Sequence, residues 1–269
     1  MTPAALNRAL TEIRRAVPAV SGLQVGERGQ VVGRYYGANI TSAFQPWRAP
    51  AGGEVVAIEA YARSHSKQGD GLSPWHLFAD NAVDSDLVTL DRLCRTVHTL
   101  NYLAVADGDR PLVLNVDARL LDAVPERHGE FFGKILHLLG IPAGRIVIEI
   151  RTVHQFDLSR LRRILASYRK NGFAVAVNAE NTLHARSLAE LLAPDILMLD
   201  ARGYAPDDLR RQAGALAGRG PKLAVKRVET TAAAEAVAAT GADWVQGFFF
   251  DHPSALSAAA PLAAEAIAP

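Results

Sequence analysis

Long apolar runs, cysteine and an excess of charge of either sign are all scarce in this sequence, and each scarcity excludes a class of protein. No stretch of about 18 consecutive apolar residues occurs, so no membrane-spanning helix is expected. The Ala-rich stretch from Ala255 to Ala268 comes nearest, and Pro261 and Glu265 break it. The single cysteine, Cys94, lies in a helical pattern running from Leu87 to Leu100 and has no second thiol with which to form an intrachain disulfide or a thiolate zinc site. The cytoplasm is therefore the expected compartment. The formal net charge is only +1, and the basic residues are spread without aromatic interleaving, which argues against a nucleic-acid partner. The 8 histidines form no HxH or HExxH spacing, so lone residues such as His98 and His154 are read as structural.

What is present is ample apolar material. With 49% hydrophobic and 21% charged residues, a chain of 269 residues can bury one large core, and α/β barrels of about 250 residues form as single domains. Ala4 to Val17, carrying Arg8, Glu12, Arg14 and Arg15, lacks the unbroken apolar core of a signal peptide and is expected to be an amphipathic surface helix. Beyond Gly37, short apolar runs alternate with longer amphipathic segments, the pattern of βα units around a parallel sheet. The runs are Ile40 to Trp47, Glu54 to Ala60, Leu112 to Val116, Ile146 to Ile150, Phe173 to Asn178, Ile196 to Asp200, Leu223 to Lys226 and Asp243 to Phe249. Between them, Leu158, Leu161, Ile164, Leu165 and Tyr168 recur at helical spacing, with Asp157 as N-cap; Pro206 with Asp207 and Asp208 opens another helix. The expected organisation is a leader over 1–37 that includes the aromatics Tyr35 and Tyr36, a single (β/α)8 TIM-like barrel over 38–255, and a tail over 256–269.

Polar residues fall in a pattern of their own. Glu59, Asn115, Glu149, Asn178, Asp200 and Lys226 each sit at or near the C-terminal end of an apolar run, and Gln246 adds one on the last. A barrel gathers those ends on one face, where its site is built, so these side chains are expected to converge. Any one of them could simply mark a strand end; seven in succession make a site the better reading.

These residues also carry a resemblance. Phe44-Gln45-Pro46 resembles the FQP that opens the EAL domain, and Glu59-Ala60-Tyr61 with Arg63 is similar to its EAL signature and the following Arg. Pro74 with Phe78 and Ala79, Leu114-Asn115-Val116, Ile148-Glu149-Ile150, Val228-Glu229-Thr230 and Val245-Gln246-Gly247-Phe248, ending in Pro253, match further blocks in order. The resemblance implies an EAL-type barrel, whose active members hydrolyse cyclic di-GMP with two Mg2+ or Mn2+ ions. It further implies nucleotide-binding roles for Gln45, Glu59, Tyr61, Arg63, Gln246 and Phe248, and metal-ligand ancestry for Glu59, Asn115, Glu149 and Asp200. Tyr61 stands where the family has Leu and would either stack on a base or crowd it. Arg63 suits a phosphate by its planar donor fork, against the plainer reading of a surface salt bridge.

The departures carry as much information. Asn178 and Ala179 stand where active members have paired aspartates, Thr152 where they have a second Glu, Met198 where they have the Lys of IKID, and Lys226 where they have the first Glu of AEGVET. The loop after the fifth strand is altered as well, with Glu180, Asn181 and His184, so an inherited homodimer is not assured. Glu59, Asn115 and Glu149 supply few hard oxygen ligands for two divalent ions, and an ammonium among them repels cations. Lys226 either pairs with Glu149 or Glu59 as their counter-charge or runs its stem out to solvent; the sequence leaves both open. The expected function is a receptor or regulator in cyclic di-GMP signalling that lacks hydrolytic activity and a resident cofactor, and that acts on a protein partner. Two alternatives stay open: a protein-interaction barrel that has lost the nucleotide, and a residual phosphodiesterase using Mg2+ or Mn2+.

Overall fold

The structure, a computed structural model, describes residues 1–50, 53–66, 71–72, 84–105, 109–116, 121, 129–151 and 157–255. Thr152, Pro74, Phe78, Ala79 and His154 lie outside the described residues, as does the tail over 256–269. In chain order the strands are β1 (Leu23–Val25), β2 (Val31–Tyr35), β3 (Ala38–Arg48), β4 (Val55–His65), β5 (Gly71–Leu72), β6 (Leu112–Val116), β7 (Ile146–Ile150), β8 (Ala174–Ala179), β9 (Ile196–Asp200), β10 (Lys222–Lys226) and β11 (Trp244–Val245).

Eight of these close into a barrel in the order β3, β4, β6, β7, β8, β9, β10, β11, with β11 returning to β3 at the pair Val245 and Arg48. This is the expected α/β barrel with one difference. The first strand is antiparallel to both its neighbours, β4 and β11, while the others run parallel. Its partner β4 follows after a short connection, the arrangement of a hairpin and not of a crossover unit. The segment ahead of Gly37 also contributes more than a helix: β1 and β2 extend the sheet from β3, and the helix Pro3–Ala16 buries Leu6, Leu10 and Ile13 in the main core. Thr2 caps that helix and Pro3 opens it, the pairing of capping side chain and fixed φ that favours a helix start.

Two apolar layers result. The larger lies between the barrel wall and the surrounding helices. The smaller fills the barrel with Trp47, Ala57, Val113, Val147, Ala176, Ile196, Met198 and Ala224, where small alanines leave room for the Trp47 ring and the Met198 chain. Helix starts follow the expected residues: Asp157 accepts from the amide of Arg160 at 2.7 Å ahead of the helix Leu158–Lys170, and Pro206 begins the helix Pro206–Gly214.

The helix Asp84–Val105, which carries the buried Cys94, is tied to the sheet by polar side chains. Asn101 accepts from the amide of Val31 at 2.6 Å, donates to its carbonyl at 2.9 Å and donates to Ser42 Oγ at 3.2 Å; Ser42 Oγ in turn meets His98 Nδ1 at 2.7 Å. Burial pushes the His98 imidazole down from 6.5 to about 3. A histidine that stays neutral in the fold while the unfolded chain protonates makes the native state lose stability as pH falls below the unfolded value. Unfolding free energy should therefore decline below about pH 6.5 by up to roughly 1.4 kcal/mol per pH unit from this group. Urea unfolding between about pH 7.5 and pH 5 checks this: His98→Asn should flatten the slope, and equal slopes for the two proteins would contradict it.

Candidate functional site

The C-terminal ends of the parallel strands bring Asn115 from β6, Glu149 from β7, Asn178 from β8 and Lys226 from β10 towards Glu59 on β4, with Gln246 just beyond β11. Both carboxylates are 0% exposed. The Lys226 ammonium bridges them, 2.9 Å from Glu59 Oε2 and 2.8 Å from Glu149 Oε2, and lies 3.0 Å from Glu149 Oε1. Of the two placements that the sequence left open for Lys226, the structure has the paired one.

A second cation completes the arrangement. Arg151 donates from Nε to Glu149 Oε1 at 3.0 Å and from Nη2 to Glu59 Oε1 at 3.3 Å. Neutral donors take the remaining lone pairs. Glu59 accepts from Asn115 Nδ2 at 2.9 Å, Trp47 Nε1 at 3.0 Å and Gln246 Nε2 at 2.8 Å, and Glu149 accepts from Asn178 Nδ2 at 3.2 Å. Two buried negative charges thus face two positive ones. Burial alone would push the Glu59 carboxyl up; Lys226 and Arg151 beside it, with the Asn115 amide, hold it well below the usual carboxylate range. Burial likewise opposes the Arg151 charge, and Glu149 and Glu59 hold its pKa above the ordinary arginine value.

Arg151 and Trp47 are participants that sequence reading missed. The signal for Arg151 was its position two residues beyond Glu149, which in an extended chain puts both side chains on one face. For Trp47 it was the indole N–H, which needs an acceptor wherever the ring is buried.

Of the other expected site residues, some lie beside the carboxylate pair and others are engaged elsewhere. Asp200 does not join the carboxylate pair: it accepts from the amide of Arg202 and forms ion pairs with Arg202 and Arg227. Gln45 donates to the carbonyl of Asp251 at 2.7 Å, and the neighbouring Arg48 grips the Asp251 carboxylate from Nε and Nη2. Both side chains thereby fasten the segment that follows the last strand; Gln45 stands opposite Glu59 in the register of β3 and β4, with its amide nitrogen engaged by that segment. Tyr61 sits half-buried beside the pair, its hydroxyl 3.3 Å from Gln246 Nε2, and burial with the nearby Glu59 raises its pKa. Arg63 is exposed on the same face of β4, two residues further out. Phe248 is 51% exposed and stacks on His252 with ring centres 4.6 Å apart. Met198 is buried inside the barrel and Ala179 in the surrounding core. Asn181 caps the helix Thr182–Leu192, and Glu180 donates its amide to His184 Nδ1.

The donor set can be tested against a pair of divalent ions. Hard cations need several free oxygen ligands. Here both oxygens of each carboxylate already accept hydrogen bonds, the Lys226 ammonium lies between them, and Asp200 is turned to two arginines. Among the described residues, no group of three or more His, Cys, Asp or Glu side chains is gathered as a metal would require. The residues present do not fit two divalent ions.

The model of the EAL domain matches residues 37–253, well over half of the chain. Among solved structures, the chain is 24% identical to the Bacillus subtilis YkuI protein, which has an EAL domain and was solved with substrate c-di-GMP and calcium; the TM-score is 0.66, over 81% of this chain and 55% of that one. The EAL domain of Mycobacterium smegmatis DcpA is 27% identical, with a TM-score of 0.57 over 80% of this chain and 93% of that one. The EAL domain of Xanthomonas citri FimX, solved in complex with c-diGMP, is 17% identical, with a TM-score of 0.61 over 91% and 92% of the two chains. The chain spans little more than half the length of YkuI. No curated protein matches it.

Proposed function

The chain belongs to the EAL domain family, and from that premise we propose that it serves cyclic di-GMP signalling as a receptor that does not hydrolyse the nucleotide. The observation that carries this reading is the Lys226 ammonium bridging Glu59 and Glu149. Two-metal hydrolysis of a phosphodiester needs one ion to generate the attacking hydroxide and a second to steady the leaving oxygen, both held by hard oxygen ligands. Lys226 and Arg151 take up the carboxylates that would hold such ions, and a fixed ammonium repels a divalent cation at short range. Met198, fully buried, offers only a thioether, a weak acceptor that moves no proton. No resident metal is part of this reading.

Binding is supported from a different side. Similar chains have been solved with cyclic di-GMP bound, and this chain has Arg63, exposed on the strand that carries Glu59, and the Phe248 ring, 51% exposed two residues beyond Gln246. An arginine fork suits a phosphate, and an open aromatic face suits a base. Occupancy would be passed to a protein partner or a second copy of the chain. A cytoplasmic setting suits this role; among the described residues, no helix is long and apolar enough to cross a membrane.

The catalytic half is tested by incubating the purified chain with cyclic di-GMP and excess Mg2+ or Mn2+ and separating the products chromatographically. The expected result is unchanged cyclic dinucleotide after hours. Linear dinucleotide that accumulates in proportion to protein, and disappears when metal is chelated, would overturn the reading.

A further inference from the structure

We propose that Arg151 is the phosphate-contacting cation of this site, taking a non-bridging oxygen of a phosphodiester directly, without a metal ion between protein and ligand. The inference rests on the receptor reading above and adds to it a residue and a mode of recognition.

Two cations sit on the carboxylate floor, and their exposure separates their roles. Lys226 is 8% exposed, and its ammonium points its protons at three carboxylate oxygens within 3.0 Å. An ammonium has three donors, so Lys226 has none left for a ligand. Arg151 is 32% exposed. Its Nε and Nη2 edge lies on the carboxylates at 3.0 and 3.3 Å, while Nη1, on the opposite edge, makes no hydrogen bond to any described residue. A guanidinium carries five N–H donors in a rigid plane. With that edge fixed on Glu149 and Glu59, the remaining donors of a side chain that is 32% exposed are left for a ligand at the C-terminal ends of the strands.

Such a cation is oriented before the ligand arrives. Its rotamer freedom is already lost to the carboxylates, so binding has little further ordering to do. Charge balance favours the same contact. Glu59 and Glu149 are balanced by Lys226 and Arg151, so a phosphodiester anion reaches a locally neutral site and meets the exposed face of a cation instead of uncompensated carboxylates. Charge-assisted hydrogen bonds from arginine to phosphate are among the stronger polar contacts in proteins.

The test is equilibrium dialysis of the full chain against cyclic di-GMP in EDTA, comparing wild type with Arg151→Lys and Arg151→Met. The lysine variant keeps a positive charge beside Glu59 and Glu149, and thermal unfolding confirms that each protein is folded. The expected result is binding by wild type in EDTA, weakened by about tenfold or more in Arg151→Lys, with a shallower dependence of affinity on KCl in Arg151→Met. A purely structural Arg151 would leave the salt dependence of a folded variant unchanged. Wild-type binding in EDTA that both variants retain at full strength overturns the role of Arg151 and leaves the receptor reading standing. Binding by wild type only when Mg2+ is added overturns direct contact by Arg151 and leaves nucleotide binding in place. No binding with or without Mg2+ overturns the receptor reading and this inference with it.

Discussion

Replacing Lys226 by methionine is expected to cost about 3–5 kcal/mol of folding stability at neutral pH, because it removes one partner of a buried ion network and leaves the other behind. Two fully buried carboxylates, Glu59 and Glu149, would then share Arg151 alone. The loss should depend on pH in a defined sense. In the native protein the Glu59 pKa is held below its unfolded value, so its contribution is present above about pH 4.5 and fades as pH falls further. Without Lys226 the carboxyl pKa rises, and acid relieves the misfit by protonating it. Urea unfolding should thus show the largest gap between wild type and Lys226→Met near pH 7 and a smaller one near pH 5. A gap below about 1 kcal/mol at pH 7 would mean that the bridge contributes little.

Alanine at Gly247 is expected to destabilise the fold by at least about 3 kcal/mol and to abolish nucleotide binding. A Cβ there would lie 1.9 Å from the carbonyl oxygen and 2.4 Å from the amide nitrogen of Val228, backbone atoms that no rotamer change can move aside. Those two groups are already engaged, the amide of Val228 with the carbonyl of Gln246 at 3.0 Å and the carbonyl of Val228 with the amide of Phe249 at 3.1 Å. A shift large enough to admit the methyl group would displace Gln246 from Glu59 on one side and Phe248 from its stack on the other. Thermal unfolding and a cyclic di-GMP titration check both halves. A folded variant with unchanged melting temperature and affinity would show that the close approach is not needed.

The sequence pattern reveals strands and helices here because their periodicities differ, but it says nothing of strand direction. The run from Ile40 to Trp47 reads like the others and is antiparallel, since only its pairing with β4 and β11 sets its sense. Period two also places side chains on faces, which is why Glu59, Asn115, Glu149, Asn178, Lys226 and Gln246 are legible as one cluster. Asp200 occupies an equivalent strand end, yet local chemistry captures it: the Arg202 amide and the Arg202 and Arg227 side chains reach its carboxylate first. Gln45 is diverted by a partner 206 residues away in the chain, a contact that no local pattern encodes. The fate of Lys226 was open because a lysine stem reaches either a buried carboxylate or water. Depth in the barrel decides between them, and depth is a property of the closed sheet.

Whether a site floored by an ammonium and a guanidinium still takes the dinucleotide separates a receptor from a barrel that works through a protein partner alone. Calorimetric titration of the purified chain with cyclic di-GMP in EDTA tests this most directly. Saturable binding of one or two nucleotides per chain, unchanged when Mg2+ replaces EDTA, is the predicted result. Absence of heat in both buffers, confirmed by absence of any shift in melting temperature at millimolar nucleotide, would contradict it and leave a barrel that works through a protein partner alone.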